Sequence, residues 1–396
     1  MLQKREIGVG GLVITPEDKR LVNKVLDSNR LSYGPMTKRF EQEFAQLHDS
    51  KFAVFTNSGT SALHIAIAAM KEKYGWKDGD EILVPAVTFV ATSNTVVYNN
   101  MKPVFVDVDP NSFNIDPKKL ERKINSKTRA ILVVHLLGLP ADMDPIMKIA
   151  KKHNLRILED SCETMFAKYK ERAVGSFGDI GCFSTYIAHY IVTGIGGLNT
   201  TSDPKLAIML RSLANHGRDS IYLNIDDDAT NDKKKLKEII EKRFSFVRFG
   251  FSFRATELEA ALGLSQLKRK DSIINRRKQI AKMYLKGLSD LSNYIRFQIA
   301  PKGAENVYML FGIVCKGKEK DALVNYLEER GIETRDLLPL VNQPVYKEDF
   351  KNKERDYPVA TELSKSGFYI GCHQYISNED VAFIIKTFHD FFSMGN

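Results

Sequence analysis

The chain has 396 residues, of which 43% are hydrophobic and 27% are charged, and its formal net charge is +9. This length favours one large domain plus a smaller one, because single hydrophobic cores stop growing at about 300 residues. The basic residues are spread along the whole sequence, and the dense run at 233–237 continues into a segment of mixed charge. We therefore expect a solvated helix face there and no nucleic-acid partner.

Two further counts bear on the compartment and on metal binding. The four cysteines lie far apart with no C-x-x-C pair, which argues against a disulfide framework and against a structural zinc site. No apolar stretch reaches the roughly 20 residues that a membrane-spanning helix needs, and the N-terminus lacks the apolar core of a signal peptide. We expect a protein with no metal site and no membrane partner, located in the cytoplasm.

Short apolar runs alternate with amphipathic segments through the first two-thirds of the chain. Strands are predicted at 82–84, 104–108, 130–137 and 156–160, and helices between them include 120–124 and 145–153. This alternation is typical of an α/β fold with a mostly parallel sheet between helices, and such sheets bind ligands at the carboxyl ends of their strands. We assign residues 1–255 to this large domain, including its N-terminal segment.

From Thr256 the pattern becomes helical, and it predicts a long connecting helix over 256–289. After it, a strand is predicted at 307–314, a helix at 321–330, the start of a strand at 332–335 and a closing helix at 380–392. These elements predict a smaller α+β domain over 290–396.

Polar motifs follow several of the predicted strands. Ser58, Gly59 and Thr60 come after the apolar run at 52–55 and open a helix, where free backbone N–H groups and the positive dipole end bind phosphate. Taken alone this motif is weak, since either hydroxyl could simply cap the helix. Phe89 and Asp160 also follow strands, and on their own they could equally be core and structural residues.

In this order the motifs resemble the DegT/DnrJ/EryC1/StrS family of sugar aminotransferases, from about residue 31 to the end. The resemblance implies the fold type I of pyridoxal-phosphate-dependent enzymes, with a homodimer that builds its sites at the subunit interface. It places Ser58, Gly59, Thr60 and Ser184 around the cofactor phosphate, Phe89 against the cofactor ring and Asp160 at the ring nitrogen. Ser252 stands where the family usually has an asparagine that reaches across from the partner subunit.

Two residues depart from the aminotransferase pattern. His189 stands where the family normally has the lysine that binds the cofactor covalently, and an imidazole cannot form that Schiff base. It keeps the ability to move protons at neutral pH. Glu163 stands where a glutamine is usual, near the phenolic oxygen of the cofactor. Both departures resemble the dehydratase branch, whose members use pyridoxamine 5'-phosphate to remove the 3-hydroxyl of nucleotide-linked 4-keto-6-deoxyhexoses.

One type within that branch also holds an iron–sulfur cluster on cysteines, two of which form a C-x-C after a Gly-Arg-Asp. Here Gly217-Arg218-Asp219 is followed by Ser220, Ile221 and Tyr222, and of the cluster set only Cys162 is present. Four thiolates are needed to hold such a cluster. We therefore predict no iron–sulfur centre. The chain then resembles the cluster-free type of the branch, and this resemblance implies a GDP-linked sugar substrate, L-glutamate as the amino donor that regenerates the cofactor, and a role in deoxysugar biosynthesis for lipopolysaccharide O-antigen.

Two alternatives stay open on the sequence alone. The first is a nucleotide-sugar aminotransferase that works with His189 or with a lysine elsewhere, such as Lys168 or Lys268. The second is a non-catalytic cofactor-binding protein that keeps the fold, with His189 as a satisfied polar residue of a decayed site.

Overall fold

A computed structural model describes residues 6–219, 231–242, 244–337, 339–350 and 354–394. The first strands and helices alternate along the chain, as the apolar pattern predicts. The strands are β1 (Phe52–Thr56), β2 (Glu81–Pro85), β3 (Lys102–Val106), β4 (Thr128–Val134), β5 (Arg156–Asp160), β6 (Lys168–Tyr169), β7 (Arg172–Ala173), β8 (Ile180–Ser184), β9 (Gly197–Thr201), β10 (Ile295–Phe297), β11 (Leu310–Cys315), β12 (Thr334–Asp336) and β13 (Gly367–Gly371).

The helices lie between and around these strands. In chain order they are α1 (Pro16–Asp27), α2 (Pro35–Leu47), α3 (Gly59–Tyr74), α4 (Val90–Tyr98), α5 (Pro117–Leu120), α6 (Met143–Lys152), α7 (Pro204–Ala214), α8 (Lys233–Lys242), α9 (Glu257–Leu267), α10 (Lys270–Gly287), α11 (Lys320–Glu329), α12 (Pro344–Phe350), α13 (Pro358–Ser366) and α14 (Asn378–Ser393). None of them, over the residues described, is long and apolar enough to cross a membrane.

The large sheet has seven strands in the order β1-β9-β8-β5-β4-β2-β3. The run from β3 to β8 is parallel, and β9 is antiparallel to both β8 and β1. Side chains of its central strands alternate between two separate cores. Ile82 and Leu132 pack on one face of the sheet, and Leu83 and Ile131 pack on the other. Helices therefore cover both faces, which explains why these strands read as unbroken apolar runs.

The sheet topology decides where the predicted motifs meet. Asp160 is the last residue of β5 and Ser184 is the last residue of β8, and these two strands are parallel neighbours. Gly197 at the start of β9 pairs with Ser184 on one side and with Thr56, the last residue of β1, on the other. The carboxyl ends of β1, β5 and β8 thus share one edge of the sheet.

A second sheet has four antiparallel strands in the order β10-β11-β13-β12. Its core includes Ile313, Phe368 and Phe388, and Ile7 from the N-terminal segment packs into the same core. Ile7 also forms a parallel bridge with Ile332. The segment around Ile7 therefore packs with the C-terminal sheet. The domain boundaries at 255 and 290 stay a prediction.

Two predicted elements differ from the structure. The predicted strand over 130–137 ends at Val134, because the N–H groups of Leu136 and Leu137 donate to the side chains of Asn114 and Glu163 instead of to a neighbouring strand. The long connecting helix predicted over 256–289 is two helices, α9 and α10. They are separated at Arg269, whose backbone is non-helical (φ −105°, ψ 4°) and whose guanidinium pairs with Asp18.

Candidate active site

A cavity of about 440 Å³ opens at the carboxyl edge of the large sheet. Its lining includes nearly all of the predicted site residues: Ser58, Gly59, Thr60, Phe89, Asp160, Glu163, Ser184 and His189. Ser252 does not line it. Since that residue is predicted to act across a subunit interface, its role stays a prediction.

One end of the cavity is built around the start of helix α3. Ser58 caps this helix, and its Oγ accepts a hydrogen bond of 3.0 Å from the N–H of Ser61. The first N–H groups of a helix have no partner within the helix, and those of Gly59 and Thr60 lie at this end. A Cβ added at Gly59 would lie 2.8 Å from Cβ of Ser184 and 3.0 Å from Sγ of Cys162. Glycine therefore permits a close approach of backbone and hydroxyls, and this cradle fits a phosphate group.

Asp160 also lines the cavity and is buried. Its Oδ2 accepts a hydrogen bond of 2.8 Å from the hydroxyl of Thr92, and its Oδ1 accepts one of 3.2 Å from the N–H of Cys162. Burial raises the pKa of the Asp160 carboxyl, while these hydrogen bonds act in the opposite direction. Such a carboxylate fits the protonated ring nitrogen of a pyridine cofactor.

Phe89 precedes helix α4 and faces the same cavity. Its side chain is 53% exposed, so it is not the core residue that such a position usually holds. An aromatic ring that is open to the cavity is available to pack against a planar ligand.

Glu163 lies three residues after Asp160 and also lines the cavity. Its Oε2 accepts a hydrogen bond of 2.9 Å from the N–H of Leu137, which sits in a turn with a φ of +58°. Burial raises the pKa of Glu163 to about 7, and the charge of Asp160 acts in the same direction. The group therefore changes its protonation state near neutral pH.

His189 lies in a turn after β8, where its backbone N–H donates to the carbonyl of Tyr186 at 2.9 Å. Within the described structure, its buried Nδ1 has no hydrogen-bond partner. Burial lowers the pKa of the imidazole to about 4, and the positive charge of Arg277 adds to this effect. The imidazole is therefore neutral at physiological pH and has a ring nitrogen free to accept or donate a proton.

Several residues of the site were not predicted from the sequence. Thr92 donates to Asp160, Arg277 donates to the backbone carbonyl of His189 at 3.3 Å, and Val9, Met309 and Tyr369 are among the further residues that line the cavity. Only Thr92 lies within a motif that the sequence singles out, the segment 85–92. The others come from distant parts of the chain and have no local signal.

The two lysines considered as replacements for the missing cofactor lysine lie elsewhere. Lys168 belongs to the two-stranded β6–β7 sheet, and Lys268 pairs with Glu17 at 2.8 Å. None of the described residues that line the cavity is a lysine. That His189 stands in the place of the cofactor lysine stays a prediction.

Metal binding was predicted to be absent. Over the residues described, no group of three or more His, Cys, Asp or Glu side chains is placed to hold a metal ion. Ser220, Ile221 and Tyr222, on which the prediction against an iron–sulfur cluster partly depends, lie outside the described residues. That prediction therefore stays a prediction.

Comparison with known proteins gives both 3-dehydratases and aminotransferases among the relatives. The GDP-perosamine synthase of Escherichia coli O157:H7 is 32% identical over 383 residues, which cover 96% of this chain and 97% of the relative. The GDP-4-keto-6-deoxy-D-mannose 3-dehydratase of Yersinia pseudotuberculosis is 33% identical over 380 residues, covering 93% and 94%. A solved GDP-4-keto-6-deoxymannose 3-dehydratase with a trapped PLP-glutamate geminal diamine superimposes with a TM-score of 0.86 at 28% identity, covering 96% of this chain and all of that one.

These findings confirm the predicted fold and the dependence on pyridoxal or pyridoxamine phosphate. Dehydratases and aminotransferases occur among the relatives at similar identity, so the comparisons do not separate the two reactions. The sequence profile of the DegT/DnrJ/EryC1/StrS aminotransferase family matches residues 13–389. The chain therefore belongs to the DegT/DnrJ/EryC1/StrS aminotransferase family.

Proposed function

We propose that the protein is a 3-dehydratase of a nucleotide-linked 4-keto-6-deoxyhexose that uses pyridoxamine 5'-phosphate. The observation that carries this proposal is His189, which lines the cavity with a ring nitrogen that has no partner among the described residues. Without a lysine to bind the cofactor covalently and to release an amino sugar, removal of a hydroxyl followed by hydrolysis is the favoured outcome.

The relatives support the choice of substrate class. Dehydratases of Yersinia pseudotuberculosis and of Escherichia coli O55:H7 that resemble this chain act on GDP-4-keto-6-deoxy-D-mannose. A solved variant of such a dehydratase carries bound GDP-perosamine. We therefore favour a GDP-linked sugar, with L-glutamate as the amino donor and a homodimer in which Ser252 contributes to the partner's site.

Each residue of the cavity has a distinct task in this reaction. When bound, the cofactor supplies an amine that joins the keto group of the sugar and a ring that takes up the electron pair left behind when a proton is lost. Ser58, Gly59, Thr60 and Ser184 hold its phosphate, Phe89 packs on its ring, and Asp160 keeps the ring nitrogen protonated.

His189 performs the proton transfers. As a neutral base it would take up the proton that the bound cofactor loses, and the chemistry that the cofactor supplies would expel the 3-hydroxyl of the sugar. The imidazolium that forms can give its proton to the departing hydroxyl, which leaves as water. Hydrolysis would release a 3-deoxy sugar and ammonia and leave the cofactor as its aldehyde, which L-glutamate would convert back to the amine.

The alternative reaction, transamination, is supported by the similarity to GDP-perosamine synthases. It requires a route that releases an amino sugar without a cofactor lysine. Because Lys168 and Lys268 lie outside the cavity, that route would also depend on His189.

Borohydride trapping and product analysis separate these reactions. The protein is mixed with pyridoxal phosphate, reduced and digested, and we expect no lysine adduct by mass spectrometry. With GDP-4-keto-6-deoxymannose, pyridoxamine phosphate and L-glutamate we expect a 3-deoxy sugar. A covalent adduct on a native lysine, or a 4-amino sugar as the main product, would contradict the proposal. The H189K variant is the positive control, since it should form an adduct at that position.

A further inference from the structure

The two carboxylate oxygens of Asp160 are held by different parts of the chain. The N–H of Cys162, two residues along, donates to Oδ1, whereas the hydroxyl that donates to Oδ2 belongs to Thr92, in the first turn of α4. Helix α4 follows β2, which lies two strands away from β5 in the sheet. The contact therefore joins two separate segments beneath the cavity.

The hydroxyl of Thr92 also contacts that of Thr88, which lines the cavity, with 2.8 Å between the two oxygens. Both residues are almost fully buried. Because Thr92 donates its proton to Asp160, its oxygen can only accept from Thr88. The hydroxyls thus form a directed chain from Thr88 through Thr92 to Asp160.

This chain favours the ionised form of Asp160. Burial opposes that form and leaves the pKa of the carboxyl raised, and the hydrogen bonds from Thr92 and Cys162 act against this rise. Hydrogen bonds to an ionised acceptor are about twice as strong as those between neutral groups. Thr92 is therefore placed to affect both the charge and the direction of the carboxylate.

We propose that Thr92 is a positioning residue, whose hydroxyl, oriented by Thr88, holds the Asp160 carboxylate ionised and directed at the ring nitrogen of the bound cofactor. This inference rests on the contact between Asp160 and the ring nitrogen that the proposed function assumes. It assigns a role to two threonines outside the set of predicted cofactor contacts.

The test compares two ligands that differ only at the ring nitrogen: pyridoxamine phosphate and its carbocyclic analogue with CH in that position. Their affinities for the cofactor-free protein are measured by equilibrium dialysis. The T92V variant keeps the shape of the side chain and loses the hydroxyl. We expect it to bind pyridoxamine phosphate about tenfold more weakly than the wild type, because a hydrogen bond to a charged group is lost, and to bind the analogue as the wild type does.

Two variants serve as controls. T95V removes another fully buried hydroxyl of α4, which bonds only to carbonyls of its own helix at 2.9 and 3.3 Å, and T92S keeps the donor. Both should retain the wild-type preference between the ligands. Should T92V fail to fold, T88V makes the same comparison, with an expected loss of about threefold for pyridoxamine phosphate alone.

Three results would overturn the inference. T92V could weaken both ligands equally, which would mean a packing role, or it could change neither affinity. The wild type could also bind both ligands equally, which would mean that Asp160 does not meet the ring nitrogen. None of these results bears on whether the product is a deoxy or an amino sugar, so failure here is distinguishable from failure of the dehydratase assignment.

Discussion

Two sets of residues that line the cavity consist of different kinds of groups, and we call them the phosphate end and the proton-moving end. The end around Ser58, Gly59 and Ser184 consists of backbone amides, hydroxyls and a glycine without a side chain. The other end contains Glu163 and His189, whose pKa values lie near 7 and 4 because both are buried. Groups that hold a fixed anion need no change of protonation. Groups that move protons need a pKa that their surroundings have shifted to suit the reaction. The reaction therefore depends on the proton-moving end, and retention of the cofactor depends on the phosphate end.

Replacing His189 should produce the largest effect on the rate, and it should separate proton transfer from cofactor binding. H189Q removes the proton-transferring imidazole, and we expect the rate of 3-deoxy sugar formation to fall by about 10²- to 10⁴-fold. Binding of pyridoxamine phosphate should stay close to that of the wild type, because the phosphate end is unchanged. Retained turnover would refute the role of His189. H153Q changes a surface histidine paired with Glu121 and is the matched control.

Replacing Glu163 should show how strongly burial shifts the pKa of a residue of the proton-moving end. Its pKa is raised from 4.5 to about 7, so the unfolded chain loses this proton at lower pH than the folded one. The contribution of Glu163 to stability is therefore present below pH 4.5 and is lost as the pH rises through about 7. The E163Q variant keeps an acceptor for Leu137 and removes the titration.

We expect cofactor-free E163Q to be more stable than the wild type at pH 8, by up to about 3 kcal/mol, and equally stable near pH 4.5. Urea unfolding at the two pH values measures the difference. E171Q, which changes an exposed glutamate, should show no such dependence. A difference that does not vary with pH would mean that the substitution acts through packing.

A substitution at the phosphate end should weaken cofactor binding and keep the rate, which is the opposite of the result expected for H189Q. In G59A the added Cβ would crowd Ser184 and Cys162, and overpacking of this kind costs about 1–3 kcal/mol. We expect pyridoxamine phosphate to bind about 10- to 100-fold more weakly, with the rate at saturating cofactor largely kept. Pyridoxamine, which lacks the phosphate, is the control ligand, and its affinity should change much less. An equal loss for both ligands would show that the whole cavity is disturbed.

The phosphate end and the sheet could be predicted from the sequence because their signals are local. Ser58 to Thr60 lie together at a helix start, and Asp160 ends a predicted strand. The surroundings of His189 and Asp160 could not be predicted in the same way. Arg277 lies 88 residues from His189, and Thr92 lies 68 residues from Asp160. Contacts at such distances arise from the packing of elements and leave no pattern in a short segment.

The smallest expected effect concerns the charge behind His189. The guanidinium of Arg277 is fully buried, donates to the carbonyls of Met309 and His189, and lies over the ring of Tyr190 at 4.7 Å. Burial is the larger cause of the low imidazole pKa, and this charge is the smaller one. R277Q should therefore raise the pKa of His189 and still leave it below the ordinary value of 6.5.

R277K, which keeps the charge, should leave the pKa of His189 near that of the wild type. Nuclear magnetic resonance of the imidazole in the cofactor-free protein measures this shift, with the surface residue His153 as an internal reference. A rise of the His189 pKa in R277K as large as that in R277Q would mean that the hydrogen bonds of Arg277, and not its charge, keep the imidazole neutral. The pKa of His189 would then depend on the position of the turn that carries it as well as on burial.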